Sequence, residues 1–238
     1  MLAGAKKIII ITCRFDIQVG DHTIQSSRKA RNLGVIFDSH LDMHTHITSM
    51  CRSAMYHLRR ISSIRRFLDR GATETLSHAF ISSRLDYCNS LLIGLPTCEL
   101  DRHQRVQNVA AKILTFTRRR EHIRPVLYLL HWLPVSARIE FNVVTMTFKC
   151  LHGMAPKYVT ELLDIYNPPR DLRFAMELIL CERRSILKSA GDNSFSIVAP
   201  KLFNSIPNDL REITSLTTFK SKLKTFLFRK LYHDVMIN

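Results

Sequence analysis

Cys150 and His152 are the nearest approach in this sequence to a nucleophile and its base. They sit two residues apart, whereas a catalytic thiol takes its base from across space, so the pair reads as structural. Glu99 and Asp101 form the tightest carboxylate pair. They follow Pro96 and Thr97, and the simpler expectation is that Thr97 caps a helix whose first turn favours acids. His40, His44 and His46 cluster, but no further Cys, His or Glu lies at ligand spacing, which makes a polar helix start the expected role rather than a metal site. No two of the six cysteines stand at Cys-x-x-Cys spacing, which signals neither a zinc ribbon nor a redox dithiol and leaves reduced thiols as the expectation. A Gly-x-x-x-x-Gly-Lys loop, a Gly-x-Ser-x-Gly elbow, a His-Glu-x-x-His helix and an Asp-Asp pair are all missing. The sequence therefore assigns no catalytic residue, no cofactor and no metal site.

The basic residues are more informative. The 238 residues carry 35 Lys plus Arg against 20 Asp plus Glu, a formal charge of +15. Over residues 43–68, Ile47, Met50, Ala54, Leu58, Ile61 and Leu68 fall on one helical face, and Arg52, Arg59, Arg66 and Arg70 fall opposite. A second helix over 99–116 repeats the scheme, with Val106, Ala110 and Ile113 as the apolar seam and Arg105, Lys112 and Arg119 recurring at every seventh position. No acid lies between Arg102 and Arg120. A third, over 216–232, buries Phe219, Leu223, Phe226 and Leu227 and carries Lys220, Lys222, Lys224, Arg229 and Lys230, which wrap around it rather than forming one stripe. Solvated faces normally mix signs, so one-signed stripes favour a polyanionic partner. Trp132 lies in an apolar run and is expected in the core rather than as a base-stacking platform.

The elements that would position these residues can be read from the periodicity. Residues 8–37 alternate as strands do, through 8–12, Phe15, Ile17 and Val19, a turn at Gly20-Asp21, then 23–25 and 33–37. From 41 to 163 the pattern is helical, with breaks at Gly71, at Gly94-Leu95-Pro96, around 118–122, at Leu133-Pro134 and over 153–156. Residues 167–214 hold Pro168, Pro169, Gly191, Pro200 and Pro207 and read as loop with short extended pieces before a final helix. The expected fold is mainly α: a helical bundle preceded by a small β hairpin or meander and followed by an irregular tail with a terminal helix. The expected divisions are 1–40, 41–166 and 167–238. At 46% apolar and 23% charged residues the composition is globular. No uncharged apolar stretch approaches the roughly 18 residues of a membrane helix, and the apolar start is too short for a signal peptide, so an intracellular protein, cytoplasmic or nuclear, is expected.

Several motifs in one order carry a resemblance. Arg31-Asn32-Leu33-Gly34-Val35-Ile36-Phe37-Asp38 resembles the segment that follows the polymerase palm in reverse transcriptases of jockey-type non-LTR retrotransposons. Ser82-Ser83-Arg84-Leu85-Asp86-Tyr87-Cys88-Asn89, Val106-Gln107-Asn108-Val109-Ala110-Ala111, Leu130-His131-Trp132-Leu133-Pro134-Val135, Leu151-His152-Gly153-Met154-Ala155-Pro156 and Thr218-Phe219-Lys220-Ser221-Lys222-Leu223-Lys224 are similar to the thumb and C-terminal region of that family. Together they span about 17–232, and Phe203 stands where family members usually have Trp before the Asn.

The resemblance implies a role for each part. Asn32, Leu33, Gly34 and Val35 would be a primer-grip segment, against the plainer reading of a hairpin in which Gly34 allows close packing. The helices would be a thumb that cradles RNA or an RNA–DNA duplex through its phosphates, reading shape rather than sequence. Arg52, Arg59 and Arg66 are the first candidates for those contacts and Arg105, Lys112 and Arg119 the second. The family's metal-binding aspartates lie upstream of the Leu-Gly segment, so this chain is expected to be a non-catalytic fragment of an RNA-directed DNA polymerase, active only with the missing palm as partner. Two other readings stand beside it: a helical protein-interaction module adopted by the host, and the inert product of a truncated element.

Overall fold

The computed structural model describes residues 17–25, 27–39, 41–118, 120–166, 178–185 and 191–236. The chain divides into two compact units, residues 1–46 and 47–238. It is mainly helical, with two small antiparallel hairpins ahead of the helices, as the periodicity predicts.

In the first unit, β1 (Ile17–Val19) pairs with β2 (His22–Ile24), with Val19 opposite His22 across the Gly20-Asp21 turn. The second hairpin pairs β3 (Lys29–Asn32) with β4 (Val35–Asp38), with Asn32 opposite Val35. Leu33 and Gly34, expected in a strand, are instead its two-residue turn, at φ 46° and 85°. Two left-handed residues match the twist of the flanking strands, which is why such turns close hairpins. β3 was not legible in advance, because Lys29-Ala30-Arg31-Asn32 has no apolar alternation and every residue in it is exposed. The strand pieces expected at 8–12 and at Phe15 lie outside the described residues.

The second unit is built on amphipathic helices. The helix α1 (His44–Ile64) buries Ile47, Ala54, Leu58 and Ile61, the face that the sequence selects. It passes through a 3-10 turn at Arg65–Phe67. The next helix, α2 (Arg70–Ser77), starts at Asp69, whose Oδ1 accepts a hydrogen bond from the Ala72 N–H at 2.6 Å. The break therefore falls before Gly71 rather than at it, because an N-cap carboxylate fixes the boundary and glycine is tolerated in a first turn. A π turn at His78–Ser82 joins α2 to α3 (Ser83–Asp86). After a 3-10 turn at Asn89–Leu92 comes α4 (Thr97–Thr115). Here Pro96 occupies the cap position and its carbonyl accepts from the Glu99 and Leu100 N–H groups, so Thr97 is the first helical residue and not the cap. Next come α5 (Ile123–Leu129), α6 (Val135–Leu151) and α7 (Lys157–Thr160).

The stretch expected as loop holds two helices, α8 (Phe195–Asn204) and α9 (Asn208–Arg211). Pro200 lies inside α8, where proline ordinarily costs about 3 kcal/mol. Burial of Ile197, Ala199, Pro200 and Phe203 on the inner face offsets that cost. Pro168 and Pro169 lie outside the described residues. The chain's last described element, α10 (Leu216–Met236), is non-helical at Tyr232.

Two apolar cores result. One joins Ala54 and Leu58 of α1, Ile81 and Leu85, Val106, Ala110 and Leu114 of α4, Val126 and Leu127 of α5, and Trp132. The other joins Ala137, Val144 and Phe148 of α6 to Phe203, Ile206 and Leu210 and to Phe219, Leu223 and Leu227 of α10. Phe228 and Leu231 of α10 pack on both. Phe203 is fully buried and anchors the second core, so an aromatic ring suffices at that position.

Polar side chains staple the helices of this unit together. Gln107 Nε2 donates to the Leu133 carbonyl at 2.8 Å, and Gln104 Oε1 accepts from the Val135 N–H at 2.8 Å. Arg138 grips both carboxylate oxygens of Asp86, at 3.0 and 2.8 Å, and donates from Nε to the same Leu133 carbonyl. The Tyr232 hydroxyl donates to the Trp132 carbonyl at 2.8 Å. Apart from the local Arg138–Leu133 bond, these staples join segments 26 to 100 residues apart, and those to the Leu133 and Trp132 carbonyls satisfy groups buried by packing.

Candidate nucleic-acid interface

The basic stripes of α1 and α4 are positioned by their opposite, buried faces. Near the N-terminal end of α4, Arg102 Nη2 donates to Thr48 Oγ1 of α1 at 2.9 Å while its Nη1 lies 3.1 Å from Glu99. Burial pushes the neighbouring Cys51 thiol up, which favours the thiol over the thiolate. Toward the other end, a groove of about 460 Å³ runs between α1 and α4. Met55, Leu58, Val109 and Ile113 give it an apolar lining, Arg59, Arg65 and Lys112 give it positive charge, and among the described residues no acidic side chain lines it.

The cations of this groove are held in different ways. The Arg65 guanidinium stacks over the Phe116 ring, 3.3 Å from its centroid, and burial lowers its pKa from the usual arginine value. Lys112 Nζ donates to the Glu121 carbonyl at 2.7 Å, which fixes the ammonium group at the groove. Arg59 is exposed. Phe116 itself is 67% exposed and sits at φ 59°, in the left-handed position that ends α4. Beyond it, Arg66 lies over the Phe67 ring at 4.6 Å, and Phe67 is 74% exposed. Tyr56 on α1 is also exposed.

Of the six cations that the sequence selects, the structure brings Arg59 and Lys112 into one groove. Arg52 and Arg105 are exposed on α1 and α4 but do not line it. Arg66 lies past the end of α1, in the 3-10 turn, and Arg70 begins α2, so the stripe drawn along a single helix is broken by the turn over 65–69. Arg119 lies outside the described residues. Sequence reading missed Arg65, which periodicity places off the stripe, and it missed the exposed aromatic rings. The available signal was the alternation of Arg65, Arg66 and Phe67 with the Phe116 to Arg120 run, since bases stack on rings and arginine planes beside a backbone-tracking groove.

The remaining candidate residues are placed as follows. Asn32, Leu33, Gly34 and Val35 form the hairpin turn described above, with Leu33 81% exposed at its tip. His46 Nδ1 accepts from the Ile36 N–H at 3.4 Å, and burial lowers its pKa. No group of three or more metal-ligating side chains occurs among the described residues. Cys150 is buried, its thiol pushed up by burial, while His152 stacks on Phe148 at 3.9 Å and shares a hydrogen bond with the Phe148 carbonyl. A protonated thiol beside an imidazole engaged elsewhere is no nucleophile. Trp132 is core, as expected. Among the described residues no helix is long and apolar enough to cross a membrane.

No protein-family model matches this chain, and neither a curated protein nor a solved structure matches it.

Proposed function

We propose that this chain binds RNA or an RNA–DNA duplex through its phosphates, as a non-catalytic region similar to the thumb and C-terminal part of a non-LTR retrotransposon reverse transcriptase. The observation that carries the reading is the α1–α4 groove: Arg59, Arg65 and Lys112 above an apolar floor, with no lining acid among the described residues, beside exposed Phe67 and Phe116. Cations track a phosphate backbone with little regard to sequence, and exposed rings stack on any base. Polymerisation would require carboxylates that hold two metal ions, supplied by a palm as partner.

Titration of a labelled RNA–DNA duplex at several salt concentrations tests the proposal. Binding should weaken with salt, and Arg59→Glu with Arg65→Glu should weaken it equally on unrelated sequences. Each lost contact should reduce the slope of log K against log salt by about 0.7–0.9. Affinity that is flat in salt, or a double variant that binds as tightly as the parent while its circular dichroism is unchanged, overturns it. A second reading, a protein-interaction module, draws on the exposed Met154, Tyr158, Leu162, Ile165 and Tyr166 and predicts salt-insensitive binding to a protein instead.

A further inference from the structure

The α6–α10 side of the second unit holds a polar cleft of about 310 Å³ that the α1–α4 groove does not share. Asn142, Thr145 and Lys149 enter it from one face of α6, Asn89 from the turn after Cys88, and Lys220 from α10. Two of its lining residues each carry a buried polar atom with no hydrogen-bond partner among the described residues: Asn89 Nδ2 and Thr145 Oγ1. Asn89 is 2% exposed and Thr145 7%. Leaving a buried polar group unsatisfied is unfavourable, so two in one cleft call for an explanation beyond packing. The Asn89 amide is oriented, because its Oδ1 accepts from Asn142 Nδ2 at 2.6 Å and its nitrogen is left as the available donor.

The charge of the cleft selects the ligand. Lys149 and Lys220 add two positive charges, and the one lining acid among the described residues, Asp86, is already held by both oxygens on Arg138. In the adjoining cleft, Lys224 stands one helical turn beyond Lys220. Two ammonium groups, an amide and a hydroxyl among the lining residues make a set suited to an acceptor-rich anion. The volume lies at the lower end of the range for small-molecule sites, which suits a phosphate group with an attached sugar better than a larger ligand. We propose that this cleft binds a phosphate monoester, either of a free nucleotide or at the end of a nucleic-acid strand. The site stands independently of the groove between α1 and α4.

Isothermal titration of the whole chain with adenosine monophosphate, and with one short oligonucleotide carrying either a 5′-phosphate or a 5′-hydroxyl, tests the site. Saturable binding by the nucleotide, or by the phosphorylated strand in clear preference to its hydroxyl twin, supports it, and the arm that binds identifies the source. Lys149→Ala with Lys220→Ala should lower the affinity about tenfold, and so should Thr145→Val, which keeps the side-chain volume and removes the hydroxyl. Arg59→Glu with Arg65→Glu should leave nucleotide binding unchanged. The Asn89 side-chain amide resonances should shift on binding in a nitrogen-15 correlation spectrum. Failure of both ligands to saturate, equal binding by both variants and the parent, or an unmoved Asn89 amide overturns the proposal and leaves the two orphaned groups as a packing cost.

Discussion

The hairpins of the first unit and the helices of the second are stabilised at different ranges. In the hairpins, β1 and β3 are exposed throughout, and Val35 is the one buried residue among the described strand side chains; their registers are set by the Gly20-Asp21 and Leu33-Gly34 turns. The helices, by contrast, meet in two apolar cores that α10 closes across more than a hundred residues of sequence. Local turn chemistry is a matter of about 1 kcal/mol, whereas burial of one aromatic side chain contributes several times as much. Substitutions should therefore reach far in the helical unit and stay local in the hairpins.

The largest effect is expected at Phe148, which stacks on Phe219 at 4.2 Å in the second core. Phe148→Ala should destabilise the helical unit by about 3–5 kcal/mol, read by denaturant unfolding of the helical circular dichroism signal. A loss below about 1 kcal/mol would mean that this core is far looser than its burial implies.

A smaller effect should follow pH through Tyr232. Burial pushes its phenol up to about 12 from an ordinary value of 10, while its hydroxyl donates to the Trp132 carbonyl. The folded state holds this proton more tightly than the unfolded state does, so the contribution is complete below pH 10 and is lost as pH rises through about 12. Thermal melts in that window should fall more steeply in the parent than in Tyr232→Phe, with at most about 3 kcal/mol at stake. Parallel pH profiles would detach Tyr232 from the stability of the helical unit.

The smallest effect is expected in the hairpin turn. Leu33 holds φ 46° without being Gly, Asn or Asp, so Leu33→Asn should stabilise the second hairpin by about 0.5–1 kcal/mol. Amide exchange should slow across residues 29–38 and stay the same in the helices. Slower exchange in both units would show that the contrast between them is wrong.

How much of this was legible depended on the range of the interaction. The buried faces of α1 and α4 followed from period alone, since Ile47, Ala54, Leu58 and Ile61, and Val106, Ala110 and Ile113, are buried as their spacing requires. The helix α8 was not legible, because Pro200 is a local helix breaker and only the second core repays its cost. The left-handed residues Cys88, Phe116 and His131 are equally silent in sequence, being neither Gly nor Asn. Two of the groove's three cations, Arg59 and Lys112, stand among the residues that the sequence selects. Arg65 does not, because the 3-10 turn after Ile64 changes the angular spacing on which the stripe was drawn.

The sequence by itself determined the helical class, the inward faces of the long helices and a strong positive charge, because each depends on neighbours within a few turns or on composition. Tertiary structure decided which of those charges stand together. Arg59 with Lys112, and Lys149 with Lys220, lie 53 and 71 positions apart and become neighbours only because helix packing fixes the angle and register between their elements. A lysine that wraps around α10 in projection becomes one wall of a cleft once α6 covers the opposite side, and no periodicity within a single helix carries that information.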